Sequence, residues 1–100
     1  MAEIEYILAQ DGLGFNAQCN GLHVGEITFV RVGNDKLIID HTGVDSDYRN
    51  TQIGLNLVRR VCELARASGR KVIPLCPFAG AMFRRYPEFD DVRLMNANGR

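Results

Sequence analysis

Residues Ile38 to Gly54 read "IIDHTGVDSDYRNTQIG". An apolar run ends at one histidine, a polar turn carrying Arg49 follows, and a helical pattern then begins. A helix that starts around Thr51 leaves several backbone N–H groups without intrahelical partners and places a partial positive charge at that end. Such an end takes phosphate readily, particularly beside a sheet, and Arg49 adds a full charge. On the corner alone the commoner account is that Asn50 or Thr51 caps the helix and Arg49 is a solvated surface residue.

Downstream of the corner the apolar period is helical. Ile53, Leu57, Val58, Val61, Leu64 and Ala65 share one face, while Arg59, Arg60, Glu63 and Arg66 fall mostly on the other. This predicts a helix from about Gln52 to Ser68, stopped by Gly69, with Arg66 and Arg70 suiting its negative end. "KVIPLCP" then reads as a strand reached through a helical crossover, which implies parallel pairing with the strand before the helix. Pro74 cannot donate to a ladder, so this strand is an edge or parts from its neighbour near that point. "FAGAMFRRY" predicts a short amphipathic helix ended by Pro87. "FDDVRLM" predicts a last short strand and "NANGR" a loose tail.

Upstream, "GFNAQCNG" alternates Phe15, Ala17 and Cys19 against Asn16, Gln18 and Asn20, the period of a half-buried strand. Asn20-Gly21 is a hairpin signal. "HVGEITFVRV" is rich in β-branched and aromatic residues, Gly33-Asn34-Asp35 makes a turn, and "KLIIDHTGV" is apolar enough to lie inside a sheet. The short turns make these three strands an antiparallel meander. The expected fold is α/β (α+β): a meander, a helical crossover to a parallel and splayed fourth strand, and a short C-terminal helix, all one domain over residues 1–100.

Composition sets the function classes aside or keeps them. The 12 basic residues balance the 12 acidic ones, which argues against nucleic acid or a membrane surface as partner, since both usually demand a basic excess. "MAEIEYILAQDG" has neither the basic leader nor the apolar core of a signal peptide, and no apolar run approaches the ~20 residues of a membrane span. Cys19, Cys62 and Cys76 are odd in number and far apart, unlike a disulfide framework or the close pairs of a zinc site. The expectation is a reduced, cytoplasmic protein without a metal, monomeric or weakly dimeric.

A strand ending in His-Thr-x-Val, a turn with Arg-x-x-x-x-Gly, an amphipathic helix and a strand ending in Pro-Leu-Cys-Pro-Phe together resemble the GNAT acetyltransferase superfamily. The likeness covers roughly Phe15 to Leu94 and is greatest to the short, Yjdj-type branch, for which "IIDHTGV" and "VIPLCPF" are the specific stretches. The resemblance implies an acetyl-CoA site between the third and fourth strands. The pyrophosphate would sit on Arg49, Asn50, Thr51, Gln52, Ile53 and Gly54, and the backbone around Val44 would face the pantetheine amides. The chain departs from the family's Arg/Gln-x-x-Gly-x-Gly/Ala turn. Asn50 stands where a further glycine is common, and Gln52 replaces the first signature glycine. Gln52 would either crowd the phosphates with its Cβ or donate to them through its amide.

Acetyl transfer needs a base for the acceptor amine, donors for the thioester carbonyl and a proton for the departing thiolate. His41, at the end of the central strand, has the right chemistry for a base, or it is a strand-end histidine bonded to nearby backbone. Cys76, at the end of the facing strand, is a proton donor or transient acyl acceptor, or a small buried hydrophobe. Cys19 and Cys62 read as core, and His23 as a packed or surface residue. Phe83 occupies the place where larger relatives carry a proton-donating tyrosine, and Tyr86 lies one turn further on. The resemblance implies an N-acetyltransferase acting on an amine of a small molecule or protein. The alternative is a CoA- or acyl-CoA-binding or protein-interaction module with little catalysis, favoured by the lack of room for the N-terminal helices that shape an acceptor pocket in full-length relatives.

Overall fold

Asn20 and Gly21 both adopt positive φ, 53° and 81°, the backbone that a two-residue hairpin between twisted strands requires. In the computed structural model, which describes residues 3–94, this turn joins β2 (Gly14–Cys19) to β3 (Leu22–Val32), and a second turn leads to β4 (Lys36–Val44). The expected meander is present. A strand that the sequence reading left unassigned precedes it: β1 (Ile4–Leu8) runs antiparallel to β2, with Ile4 opposite Cys19 and Leu8 opposite Phe15. Its polar connection turns at Gly12, where φ is 73°.

The helical crossover follows as α1 (Ile53–Ser68), ended by Gly69 in the left-handed conformation, whose N–H reaches the carbonyls of Ala65 and Arg66. Glycine has no Cβ to clash there. β5 (Lys71–Pro74) lies parallel to β4, Lys36 opposite Lys71 through Ile39 opposite Pro74. The described sheet therefore has five strands in the order β1-β2-β3-β4-β5. The chain then forms α2 (Pro77–Arg85) and a 3-10 turn over Pro87–Phe89. The strand expected at "FDDVRLM" is not formed over 89–94: Phe89 closes the 3-10 turn and is buried in the core, and Arg93 makes a lone parallel bridge to Val72. Met95 and the tail lie outside the described residues.

Burial explains which way each element faces. Ala17, Ile27, Leu37 and Ile39 from the sheet meet Leu57, Val58, Val61 and Ala65 of α1 and Ala79 and Phe83 of α2 in one core, each at most 1% exposed. Each such side chain of valine size or larger contributes on the order of 1.5–3 kcal/mol. Alternation puts Glu26, Thr28 and Val30 on the opposite face, which no described element covers. One irregularity interrupts that alternation. The β3–β4 register passes from Thr28 opposite His41 to Phe29 opposite Ile39, so Asp40 is an extra residue, a β-bulge. Its carboxylate accepts a hydrogen bond from Thr28 Oγ1 at 2.6 Å.

The C-terminal turn is tied to α1 by arginines. Arg66 Nε and Nη2 grip both oxygens of Asp91 at 2.7 and 2.9 Å, and Arg59 Nε donates to Glu88 at 2.9 Å. Hydrogen bonding from Arg66 holds the Asp91 carboxyl below its ordinary value. A depressed folded pKa stabilises the fold above the unfolded pKa, and that contribution is lost as pH falls through the folded value. Asp91→Asn should therefore melt lower than the native protein near neutral pH, with the gap closing below about pH 4. Thermal unfolding across pH measures it; a gap of constant size down to strong acid would show that the pair contributes by packing alone.

Candidate active site

The site begins where β4 and β5 part. After Ile39 and Pro74 the ladder ends: Leu75 and Cys76 both donate their N–H to the Ile39 carbonyl, at 3.1 and 3.0 Å, and the chain turns into α2. β4 continues to Val44 beside β3, leaving its other edge from Asp40 onward with no described strand. At the tip of this V, Asp45 caps a 3-10 turn over Ser46–Tyr48. Asn50 then takes φ 65°, a left-handed conformation that asparagine tolerates better than most side chains. This is the place where the resemblance leads one to expect glycine. Thr51 Oγ1 donates to the Tyr48 carbonyl and accepts from Ile53 N–H at 3.3 Å. Thr51 is thus the side-chain cap, while Gln52, the residue flanking α1, makes no capping bond. The N–H groups of Gly54 and Leu55 remain for water or ligand.

A pocket of about 390 Å³ occupies the tip, lined by Thr42, Gly43, Val44, Tyr48, Arg49, Asn50, Thr51, Gly54 and Phe78. Of the residues expected to hold the cofactor, Val44, Arg49, Asn50, Thr51 and Gly54 line it. Arg49 is exposed and makes no ion pair among the described residues. Gln52 does not line it; it borders a separate groove with Tyr6, Cys19 and Asn56. Ile53 is 3% exposed and belongs to the core. Sequence reasoning missed Thr42, Gly43, Tyr48 and Phe78. All four stood in stretches singled out above, Thr42, Gly43 and Tyr48 in "IIDHTGVDSDYRNTQIG" and Phe78 in "VIPLCPF", but none was picked out as a cofactor-binding residue.

His41 and Cys76 do not meet. His41 pairs with Thr28 on the uncovered face, where its Nε2 lies 2.9 Å from Glu26 Oε2; His23 Nε2 lies 2.6 Å from the other oxygen, Oε1. Burial pushes the Glu26 carboxyl upward, but the hydrogen bonds to His23 and His41 outweigh it, and the net shift is downward. Thr42, the next residue, pairs with the buried Ile27 and faces the helices. Its Oγ1 lies 3.4 Å from Cys76 Sγ. Cys76 is buried and caps α2, its sulfur accepting from Ala79 N–H at 3.4 Å. Cys19 and Cys62 are buried and unpaired, and burial pushes the Cys62 thiol up to about 12, which suits an inert core residue. Phe83 is core, 1% exposed, and Tyr86 packs edge-on to Phe89. No group of metal-ligating side chains occurs among the described residues.

This architecture is that of a known family. The family model described as GCN5-related N-acetyl-transferase matches residues 14–92. The chain belongs to that family and is an acetyltransferase. It is similar to the solution structure of a GCN5-like candidate N-acetyltransferase from Staphylococcus aureus, at 32% identity and TM-score 0.71, covering 92% of this chain and 87% of that one. More distant likenesses show the fold. A ribosomal-protein-alanine N-acetyltransferase from Brucella melitensis has 23% identity and TM-score 0.59, over 81% of this chain and 63% of that one. An aminoglycoside N-acetyltransferase solved with CoA has 13% identity and TM-score 0.55, over 82% and 62%. Among proteins of curated function, none matches the chain.

Gly54 has a packing duty as well as a place in the pocket. A Cβ there would stand 2.5 Å from Phe78 Cζ and 2.9 Å from Cε2, so the bare helix start is what seats this ring. Gly54→Ala should displace Phe78 and weaken the fold, whereas in a Phe78→Ala background the same change should cost little. A double-mutant cycle of unfolding free energies is expected to give a coupling of about 0.5–3 kcal/mol; additive effects would show that the ring yields freely.

Proposed function

We propose that the protein transfers the acetyl group of acetyl-CoA to an amine of a small molecule or of another protein. The observation that carries this reading is the free edge of β4 opening beside Arg49 and the start of α1. The pyrophosphate finds there one unpaired cation and the N–H groups of Gly54 and Leu55, and the pantetheine amides find the unpaired backbone of β4. Bound acetyl-CoA supplies the thioester. His41 takes the proton of the acceptor amine. Cys76, whose sulfur accepts from Ala79 N–H and shares a hydrogen bond with Thr42 Oγ1 in which either atom can donate, gives its S–H proton to the departing thiolate during transfer. The three unpaired cysteines fit a reducing, cytoplasmic setting.

A CoA-binding module with little turnover is the second reading, favoured by His41 and Cys76 standing on opposite faces of β4. Two measurements separate the readings. Acetyl-CoA at ~1 mM should raise the melting temperature by several degrees, because it binds only the folded chain, and Arg49→Glu should remove most of that rise. Release of the CoA thiol should then be followed with a diamine, an amino-acid ester and a peptide with a free α-amino group. Turnover that falls by about a hundredfold in His41→Ala supports transfer. A thermal shift without turnover points to the binding module, and no shift at all removes both readings.

A further inference from the structure

We infer that Glu26 is a positioning residue for His41: its carboxylate fixes the imidazole as the Nε2–H tautomer and leaves Nδ1 as the basic nitrogen offered to the acceptor amine. The inference rests on the acetyl-transfer reading above. An ionised carboxylate can only accept hydrogen bonds, so a ring nitrogen held 2.9 Å from it must carry the hydrogen. A neutral His41 held this way has its lone pair on Nδ1. A glutamate carboxyl is ionised at neutral pH at its ordinary value, and Glu26 is shifted further down.

Three features are built around this contact. The bulge at Asp40 turns His41 onto the face that carries Glu26. Gly43, opposite Glu26 in the β3–β4 register, makes room: a Cβ there would overlap Glu26 Oε2 and come within 3.1 Å of His41 Nε2. His23 holds the second carboxylate oxygen and so restrains Glu26 from its own strand. A cleft of about 300 Å³, lined by His23, Val24, Glu26, Gly43, Val44 and Asp45, has Glu26 of the pair in its wall. It shares Gly43 and Val44 with the cofactor pocket. The titratable groups around Glu26 are His23 on β3, His41 and Asp40 on β4, and Asp45 beyond β4; β2 brings only Asn16 and Gln18, opposite Glu26 and His23.

The test joins ring spectroscopy to kinetics. Long-range nitrogen–proton correlation spectra at about pH 8.5, where free histidine is neutral, should show His41 wholly as the Nε2–H tautomer, and Glu26→Ala should return it to the mixture of free histidine. With whichever amine of the panel is turned over, Glu26→Ala should lower kcat by about tenfold or more. The KM for acetyl-CoA and the acetyl-CoA thermal shift should stay within about twofold, because Glu26 lies outside the cofactor pocket. Glu26→Ala should add nothing further in a His41→Ala background. An Nδ1–H tautomer in the native protein, an unchanged kcat, or full additivity overturns the inference. If Glu26→Ala does not fold, Glu26→Asp, which withdraws the carboxylate by one methylene, should move His41 toward the mixture of free histidine and lower kcat with the KM for acetyl-CoA held. A native protein with the Nε2–H tautomer that acetylates no amine overturns the transferase reading and leaves the pairing of Glu26 with His41 standing.

Discussion

One backbone oxygen governs the working end of this molecule. The Ile39 carbonyl receives N–H groups from both Leu75 and Cys76, and between them and the strand stands Pro74, which has no N–H to give. A parallel strand that meets this arrangement cannot go on pairing, so β5 turns away while β4 runs on for five more residues. The open edge, the seat of Cys76 at the head of α2 and the contact of Phe78 with Gly54 all follow from that separation. The remainder of the sheet is paired and the helices are packed on one of its faces, so the V is held open by elements that are themselves well buried.

The parts of the fold that were legible in the sequence are those set by neighbours along the chain. The helical period of Ile53 to Ala65, the Gly69 stop, the Asn20-Gly21 hairpin and the proline that ends β5 are local chemistry, and each stands where the sequence puts it. β1 was not read, because Ile7 breaks the alternation of Ile4, Tyr6 and Leu8, and the strand gains its place only by pairing with β2. The C-terminal segment misled for the opposite reason. Its apolar residues alternate well enough for a strand, yet Phe89 is drawn into the core beside Phe83, 5.3 Å between ring centroids, and a 3-10 turn delivers it there.

The corner shows how one residue type can be required for two reasons. Asn50 stands where a left-handed residue is needed, and asparagine meets that need with a side chain in place. Gly54 is in an ordinary helical conformation, and the requirement on it is space, filled by the ring of Phe78. Gln52 has neither constraint: it is exposed, makes no capping bond and faces a different groove. This accounts for the two positions where the chain departs from the glycine pattern. One departure keeps the backbone conformation that glycine would supply, and the other falls where the side chain has open space to enter.

Val44, Arg49, Asn50, Thr51 and Gly54, read from the sequence, line one pocket, but the arrangement of side chains around β4 was illegible, and the cause is the single extra residue at Asp40. Ile39 faces the core, and strict alternation would carry His41, two residues on, into the core as well. The bulge resets the phase: His41 emerges on the uncovered face opposite Thr28, and Thr42 takes the inward place opposite Ile27, from which it reaches Cys76. Without that shift His41 would confront α1 and α2, where burial disfavours a charged imidazole and offers no carboxylate to hold it. With it, one short stretch of β4 serves two faces, a histidine and carboxylate on one and a hydroxyl and thiol on the other. Nothing in "IIDHTGV" announces the bulge, since an unpaired aspartate in a strand is as easily read as a solvent-facing residue in perfect register. The bond from Thr28 to Asp40 is what holds it, and that bond crosses between strands, beyond the reach of any local pattern.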